Sequence, residues 1–199
     1  QMPATIVTLS YFPSLRHLFH RQDLMQVESL NFFDQMQGIP DNLPTIEINY
    51  REWDWPLDCE FVHSGQGTYV YQGDQKYAVI HYGIEGNIIA VERFRDGELQ
   101  KNLIFDDRGF LSSIEYYQQG QLTHHDFLTV NGAVACRLLA DQTVMVMSPD
   151  KLPMKKSVYQ NLEAMLNEGL AEFAALQLQT DDLVLFASNE QHNQIVINN

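Results

Sequence analysis

The sequence predicts an α/β chain that carries an inserted antiparallel β-sheet. Two observations support this fold class. Strand and helix patterns alternate near both ends of the chain, and a run of short β-rich segments separated by turn residues lies between them. The 199 residues, 45% of them hydrophobic, are enough for one large domain or two small ones. We expect three parts, residues 1–49, 50–148 and 149–199.

The first part, residues 1–49, alternates between the two patterns. Residues 6–9 are typical of a buried strand, and Pro13 and Ser14 then open a helical pattern. Apolar residues from Leu30 to Met36 predict a second helix, which Gly38 and Pro40 end. Residues 46–48 are predicted as a further strand.

The second part, residues 50–148, has frequent turn signals between β-rich segments, which is typical of an antiparallel meander. A weak internal repeat supports this interpretation. Gly97 and Gly120 are 23 residues apart, as are Gly109 and Gly132. We therefore expect the repeating unit to be one hairpin.

The third part, residues 149–199, returns to the α/β pattern. Ser157 is predicted to cap a helix whose apolar positions run from Val158 to Leu176. Residues 183–187 form a short apolar run that fits a strand buried on both faces of a parallel sheet. Because strand and helix patterns are cut at both ends, we expect the chain to be a piece of a longer protein.

Charge and composition exclude several classes of function. The net charge is −14, with 26 acidic residues against 12 lysines and arginines, and no basic run is present. Binding to nucleic acid or to an anionic membrane surface is therefore disfavoured. No apolar run approaches the length of a transmembrane helix, and no signal peptide is visible. We interpret the two cysteines, Cys59 and Cys136, as buried thiols in a reducing compartment.

The adjacent acids in the run 106–109 are the first candidate site. Asp106, Asp107, Arg108 and Gly109 lie between two strand patterns, and the repeat aligns them with residues 129–132, which lack both acids. A hairpin turn of this length favours Asp and Asn, followed by a Gly with positive φ. We predict an exposed turn and not a catalytic carboxylate pair.

The run of His124, His125 and Asp126 is the second candidate. Neighbouring residues of a strand point to opposite faces, so the two histidines cannot share one metal ion. No further ligand follows at a zinc-like spacing, and we predict a solvated strand, no metal and no cofactor.

A basic patch is the third candidate. Arg16 and His20 are four residues apart, as are His17 and Arg21, so they line adjacent stripes of the predicted helix. The patch has two interpretations: a solvated helix face, or a contact with a partner or an anion, which its place after a strand favours.

Two further groups are candidates for glycan or partner binding. The polar loop 188–194 follows the last predicted strand and includes Asn189, Gln191 and His192; a plain loop before a helix is the alternative. Trp53, Trp55 and Tyr50 are able to stack on a sugar, but we predict that they belong to the core. No nucleotide-binding or hydrolase motif is present.

Five stretches of the chain resemble one known family. They are YFPSLRHLFHRQDL from Tyr11, WDWPLDCEFV from Trp53, QKYAVIHYGIEGNIIAVERF from Gln75, IFDDRGFLSSIEYY from Ile104 and ASNEQHNQ from Ala187. In this order they resemble the accessory secretory protein 1 family of the accessory Sec system, which exports serine-rich-repeat adhesins in Gram-positive bacteria.

The resemblance implies a fold and a function. The fold is part of a Rossmann-like lobe of the GT-B glycosyltransferase type, with an extended β-sheet domain inserted. The function is non-catalytic assembly and binding, with the second and third accessory secretory proteins, the motor ATPase and the glycosylated adhesin as partners. The location implied is cytoplasmic, including the inner face of the membrane. The family supplies no catalytic residues.

Two alternatives stay open. The first alternative is that the chain is the acceptor-binding lobe of an active GT-B glycosyltransferase that modifies such adhesins. The inserted sheet favours this interpretation. A sheet-based adaptor outside adhesin export is the other alternative, and it applies if the resemblance is accidental.

Overall fold

The structure is a computed structural model, and it describes residues 4–40, 42–147 and 154–177. The strand predicted at 183–187 and the polar loop 188–194, with Asn189, Gln191 and His192, lie outside the described residues. None of the described helices is long and apolar enough to cross a membrane.

The first part of the chain forms a β-α-β unit followed by a second helix. Its elements are β1 (Thr5–Thr8), α1 (Leu15–Arg21), β2 (Glu28–Asn31) and α2 (Phe32–Gln37). β1 pairs in parallel with β2, which confirms the predicted first strand and first helix. The predicted second helix is present but begins at Phe32 and not at Leu30, because Leu30 belongs to β2. Asn31 ends that strand and caps the helix, since its Oδ1 accepts from the Asp34 N–H at 3.0 Å.

A ten-stranded antiparallel sheet makes up most of the described chain. Its strands are β3 (Cys59–Ser64), β4 (Gly67–Gln72), β5 (Gln75–Tyr82), β6 (Ile88–Arg95), β7 (Glu98–Phe105), β8 (Leu111–Gln118), β9 (Gln121–Leu128), β10 (Val134–Leu139), β11 (Val144–Val146) and β12 (Val158–Tyr159). The strands lie in the sheet in chain order, so the predicted meander is confirmed. The 23-residue repeat superimposes β7 on β9, and Gly97 and Gly120 both occupy turns with positive φ.

Two predicted elements are wrong. Residues 46–48 form no strand; the Ile46 N–H instead donates to the Arg108 carbonyl oxygen at 2.9 Å. Ser157 does not cap a helix, because Val158 and Tyr159 form β12 and the helix α3 is Leu162–Gln177. The cap is Asn161, whose Oδ1 accepts from the Ala164 N–H at 2.8 Å.

The described chain has two hydrophobic cores. The first contains residues of β9 to β12 together with α2, α3 and the segment after β1; its members include Phe33, Phe127, Cys136 and Met165. The second lies on β4 to β7, where Val70, Ile80 and Val91 pack against residues of the segment 48–55, including Trp53 and Trp55. Both tryptophans pack against this core as predicted, but they are half-buried and not fully enclosed by it.

The two cores lie on opposite faces of the sheet. Directly paired residues of antiparallel strands share a face. One row of directly paired residues crosses the sheet from β6 to β10 on the face of the second core: Val91, Leu103, Ile114, Asp126 and Arg137. A second row crosses the same strands on the face of the first core: Ala90, Ile104, Ser113, Phe127 and Cys136. The helices thus cover one end of the sheet on one face, and the segment 48–55 covers the other end on the other face.

Candidate functional site

The turn between β7 and β8 joins the sheet to the helices. Gly109 has φ +86° and its N–H donates to the Asp106 carbonyl oxygen at 2.9 Å, as expected for a hairpin turn. The predicted turn is confirmed, but the predicted exposure is wrong. Asp106, Asp107 and Arg108 are only 2%, 5% and 9% exposed, because α1 with the residues before it, α2 and the segment around Ile46 pack over the turn.

Arg108 holds two carboxylates. Its Nε and Nη2 donate to Asp106 at 2.6 and 2.8 Å, and its Nη1 and Nη2 donate to Asp34 of α2 at 2.9 and 3.0 Å. Burial by itself lowers the pKa of Arg108, but these bonds raise it above its usual value. The ion pairs therefore keep the guanidinium charged and fix α2 to the sheet.

Asp107 faces the other helix. Its N–H donates to the Pro13 carbonyl oxygen at 2.8 Å, and its Oδ2 accepts from the backbone N–H of His17 in α1 at 2.7 Å. Its Oδ1 is buried and has no hydrogen-bond partner among the described residues. Burial and the neighbouring charge of Asp106 raise the pKa of Asp107 to about 6.

We call the four side chains of Asp34, Asp106, Asp107 and Arg108 the joint. A general base needs a substrate within hydrogen-bond reach. No carboxylate oxygen of the joint is available to a substrate. Each one either accepts a hydrogen bond from Arg108 or His17 or is closed off from solvent. Its arrangement serves to orient α1 and α2 on the sheet.

The predicted basic patch is divided by the structure. The Arg16 Nη1 donates to the Leu43 carbonyl oxygen at 2.9 Å, and His17 is half-buried above the joint. His20 and Arg21 are exposed in the last turn of α1. The patch therefore presents two of its four members to solvent.

Three exposed apolar side chains are close to this pair in the sequence. Leu18 is on α1, Phe12 lies three residues before the helix and Met25 four residues after it. They are 40%, 44% and 42% exposed. We call Phe12, Leu18, His20, Arg21 and Met25 the α1 surface. Phe, Met and Arg are enriched in protein interfaces relative to the rest of a protein surface.

The run of His124, His125 and Asp126 is not a solvated strand, and that prediction is wrong. Asp126 is buried and accepts from Nε and Nη2 of Arg137 at 2.6 and 2.8 Å. His124 stacks on Tyr116 with ring centroids 4.3 Å apart, whereas His125 lies on the other face. Burial lowers the pKa of both histidines. No group of three metal-ligating side chains is found among the described residues.

A groove opens on the face of the second core. It has a volume of about 360 Å³ and is lined by Ile48, Trp53, Arg93, Leu103, Phe105, Gly109, Phe110 and Leu111. The Trp53 ring stacks between Phe105 and Trp55, with centroid distances of 5.5 and 5.8 Å. The Arg93 guanidinium lies over Trp55 at 4.2 Å and Tyr77 at 5.0 Å.

Sequence reasoning missed two residues of these sites. Asp34 lies 74 residues from Arg108 along the chain, and no local pattern connects them. Arg93 follows Val91 at the two-residue spacing of a strand face, so the sequence does place it on the buried side. That spacing was the available signal for an arginine inside an apolar layer.

The comparisons with known proteins agree with one another. The family model for accessory Sec system protein 1, also called accessory secretory protein 1, matches residues 1–199. The chain is similar to the curated protein of that name from Staphylococcus aureus, with 33% identity over 97% of this chain and 38% of the relative. It is also similar to the one from Streptococcus gordonii, with 31% identity over 98% and 38%. The chain thus spans about two fifths of the length of these relatives.

The solved structures similar to this one include two complexes and a transferase. The Glycosylation Associate Protein (Gap123) complex from Streptococcus agalactiae matches with TM-score 0.92 and 28% identity, over 99% of this chain and 40% of that chain. The complex of accessory secretory proteins 1, 2 and 3 from Streptococcus pneumoniae matches with TM-score 0.87 and 28% identity, over 96% and 39%. The pneumococcal O-GlcNAc transferase GtfA matches with TM-score 0.60 and 15% identity, over 100% and 46%, which shows a shared fold only.

Proposed function

The chain belongs to the accessory secretory protein 1 family of the accessory Sec system, and we propose that it acts there as a non-catalytic binding and assembly component. In this proposal the protein forms a complex with the second and third accessory secretory proteins. The complex assists the export of glycosylated serine-rich-repeat adhesins by a motor ATPase. It works in the cytoplasm, at the inner side of the membrane, where its partners and not its own acidic surface provide the location.

The proposed fold is a Rossmann-like lobe of the GT-B type, residues 1–49 and 149–199, with residues 50–148 as an inserted sheet domain. The parallel β1-α1-β2 unit supports a Rossmann-like origin, because such units build doubly wound sheets. The similarity to a transferase fold supports the GT-B assignment. β12 pairs with β11, so the sheet continues beyond the proposed boundary at residue 148.

The observation that carries the functional proposal is the α1 surface. It combines three exposed apolar side chains with two basic ones, in a protein whose net charge is −14. Exposing these apolar groups to water is unfavourable, and a partner that covers them recovers that free energy. We propose that this surface, with Arg16 and His17 as its inner support, contacts a partner protein of the complex. The polar loop residues Asn189, Gln191 and His192 remain part of the proposed contact region.

The joint supports the same proposal. It fixes the direction of α1 through the bond from the His17 N–H to Asp107 and through the bond from Asp107 to Pro13. A surface held rigid before binding loses less entropy when the partner docks. The carboxylates of the joint are used for this purpose, which accords with a role without catalysis.

Co-purification tests the proposal. Tagged protein is expressed with the second and third accessory secretory proteins, either unchanged or with Leu18→Asp and Arg21→Glu together. We expect the unchanged protein to retain at least one partner. The amount of that partner retained by the double variant should be lower by about tenfold or more, since a charge replaces an interface core residue.

The matched control carries Ile84→Asp and Arg95→Glu, which make the same changes in charge at two exposed residues, one in the turn between β5 and β6 and one at the end of β6. This control is expected to bind as the unchanged protein does. Equal loss in both double variants contradicts the α1 surface as the contact. Absence of any partner on the unchanged protein contradicts the assembly function. Sugar transfer from a UDP-sugar to an adhesin peptide by the purified protein would overturn the non-catalytic proposal.

A further inference from the structure

We propose that the groove beside Trp53 is a docking site for an acidic peptide segment, in which an apolar side chain fills the groove and an adjacent carboxylate pairs with Arg93. The site is separate from the α1 surface, and the proposal does not depend on the partners assigned above. It follows from the state of Arg93, from the lining of the groove and from the charges beside it.

Arg93 is a half-buried cation that has no anionic partner among the described residues. Within the described residues its side chain forms no ion pair, its Nη1 is closed off from solvent without a hydrogen-bond acceptor, and its neighbours are the rings of Trp55 and Tyr77. Burial lowers the pKa of Arg93, and its ionisable neighbours are Tyr77 and Cys59, not a carboxylate. Buried polar atoms normally have a hydrogen-bond partner, so the unpartnered Nη1 points to a ligand that supplies the missing negative charge.

Arg93 belongs to the wall of the groove. Arg93 lines the groove together with Trp53 and with residues from the β7–β8 hairpin. The charge of the guanidinium is delocalised over all three nitrogens, so a carboxylate that enters the groove and pairs with it also offsets the cost of burying Nη1. A planar carboxylate matches two adjacent N–H groups of an arginine at once.

The rest of the lining decides what accompanies the carboxylate. Arg93 is the polar side chain of the groove; its other lining side chains are aliphatic or aromatic. A sugar needs several hydrogen-bond partners for its hydroxyl groups, and burying those groups unpaired is costly. An apolar side chain of a peptide needs none, and a volume of about 360 Å³ accommodates a phenylalanine ring with its backbone.

The charges beside the groove favour the same ligand. Arg93 is directly paired with Lys101 of β7, and Lys101 is directly paired with Tyr116 of β8. Lys101 is exposed and lies over the Tyr116 ring at 4.9 Å. A second carboxylate of an extended peptide thus meets a second cation along the sheet, which favours acidic over neutral or basic segments.

Intrinsic fluorescence tests the proposal, because Trp53 and Trp55 are the two tryptophans of the chain and both lie at the site. The probe is an acetylated hexapeptide that alternates Phe and Asp. Peptides that alternate Phe with Asn and Phe with Lys serve as matched probes, and free N-acetylglucosamine is the sugar probe. We expect a saturable change with the Asp peptide, and binding weaker by about tenfold or more with the Asn and Lys peptides.

Variants locate the binding. Arg93→Gln is expected to abolish the preference for the Asp peptide over the Asn peptide, while Arg95→Gln, exposed on the same strand, leaves it unchanged. Thermal unfolding checks that both variants are folded, and the comparison of the peptides on unchanged protein needs no variant. Equal affinity for the Asp and Asn peptides, no saturable change, or saturation by the sugar instead overturns the proposal.

Discussion

Arg108 in the turn between β7 and β8 donates two hydrogen bonds to Asp34 of α2, at 2.9 and 3.0 Å, across 74 residues of chain. The same guanidinium donates to Asp106 through Nε and Nη2. One side chain therefore connects the helical layer with the middle of the sheet.

Replacement of Arg108 by alanine is expected to lower the free energy of unfolding by about 3–5 kcal/mol, because Asp106 is left buried without a counter-charge. Urea denaturation measures the change. The control is Lys156→Ala, which removes an exposed ion pair with Glu168 and should cost less than about 1 kcal/mol. Similar values for the two variants would contradict the role assigned to the joint.

Gly109→Ala is expected to destabilise the protein more than Gly132→Ala does. Both glycines have positive φ, +86° and +79°, so the backbone strain of an added Cβ is shared. The Cβ at Gly109 meets the carbonyl oxygen of Ile46, whereas the Cβ at Gly132 meets open space. We expect a difference of about 1–3 kcal/mol from this overlap, measured by urea denaturation of both variants. Equal effects would show that the close approach of the two segments is not required.

The stability of the protein is expected to depend on Asp107 between about pH 7 and pH 4. Burial raises the pKa of this carboxyl to about 6 in the folded state, above the usual value of 3.8. Between these values the folded state binds the extra proton, so its stability increases as the pH falls through 6 and decreases as the pH rises. Charging Asp107 thus destabilises the fold at neutral pH.

Asp107→Asn removes this titration. The unfolding free energies of the two proteins are compared at pH 5, 6, 7 and 8. As the pH falls, the unchanged protein should gain stability relative to the variant. The other acidic residues titrate in both proteins, so their contribution cancels in the difference between the two free energies. A difference that is constant with pH, or of opposite slope, contradicts the assignment.

Gly169→Ala is expected to loosen α3 from α2. A Cβ at Gly169 overlaps the ring of Phe32, so the two helices are in contact through a residue that has no side chain. Alanine improves helix propensity by about 1 kcal/mol, but overpacking costs about 1–3 kcal/mol and should prevail. Adding Phe32→Leu should recover part of the loss, since the smaller side chain leaves room. If the effects of the two single changes simply add in the double variant, the two residues are not in direct contact.

The two thiols are expected to react at different rates. Cys136 is fully buried, and burial together with the charge of Asp126 raises its pKa to about 12, so it is a neutral thiol at pH 8. Cys59 is only half-buried, which corrects the prediction that both thiols are buried. With a thiol reagent at pH 8, Cys59→Ala should leave no reactive thiol until urea unfolds the protein. Fast reaction of the folded variant would contradict the burial of Cys136.

The meander was predictable because its information is local. Turn residues with positive φ, such as Gly97 and Gly120, recur at the spacing of a hairpin, and the side-chain alternation of β5 to β9 follows from adjacent residues. Local signals failed where one residue serves two elements. Asn31 ends β2 and caps α2, so the apolar run around it was assigned to the helix alone.

The joint and the groove were not predictable in the same way. The sequence marked Asp106, Asp107 and Arg108 as a turn, which they form, but their burial depends on Pro13, His17 and Asp34, far away along the chain. The resemblance to a known family supplied the family, which the comparisons confirm, but it supplied neither of these contacts.

The covering of the sheet on opposite faces has a consequence for how the protein folds. Every strand from β3 to β12 pairs with its neighbour in the chain, and the connections from β3 to β11 are short. We therefore expect this part of the sheet to form by short loop closures, as in a linear array of repeats. Each end of the array acquires its own apolar cover, from different parts of the chain. We therefore expect β7 and β8 to form the boundary between two cooperative folding units. The contacts of the joint couple them, so the formation of one unit stabilises the other.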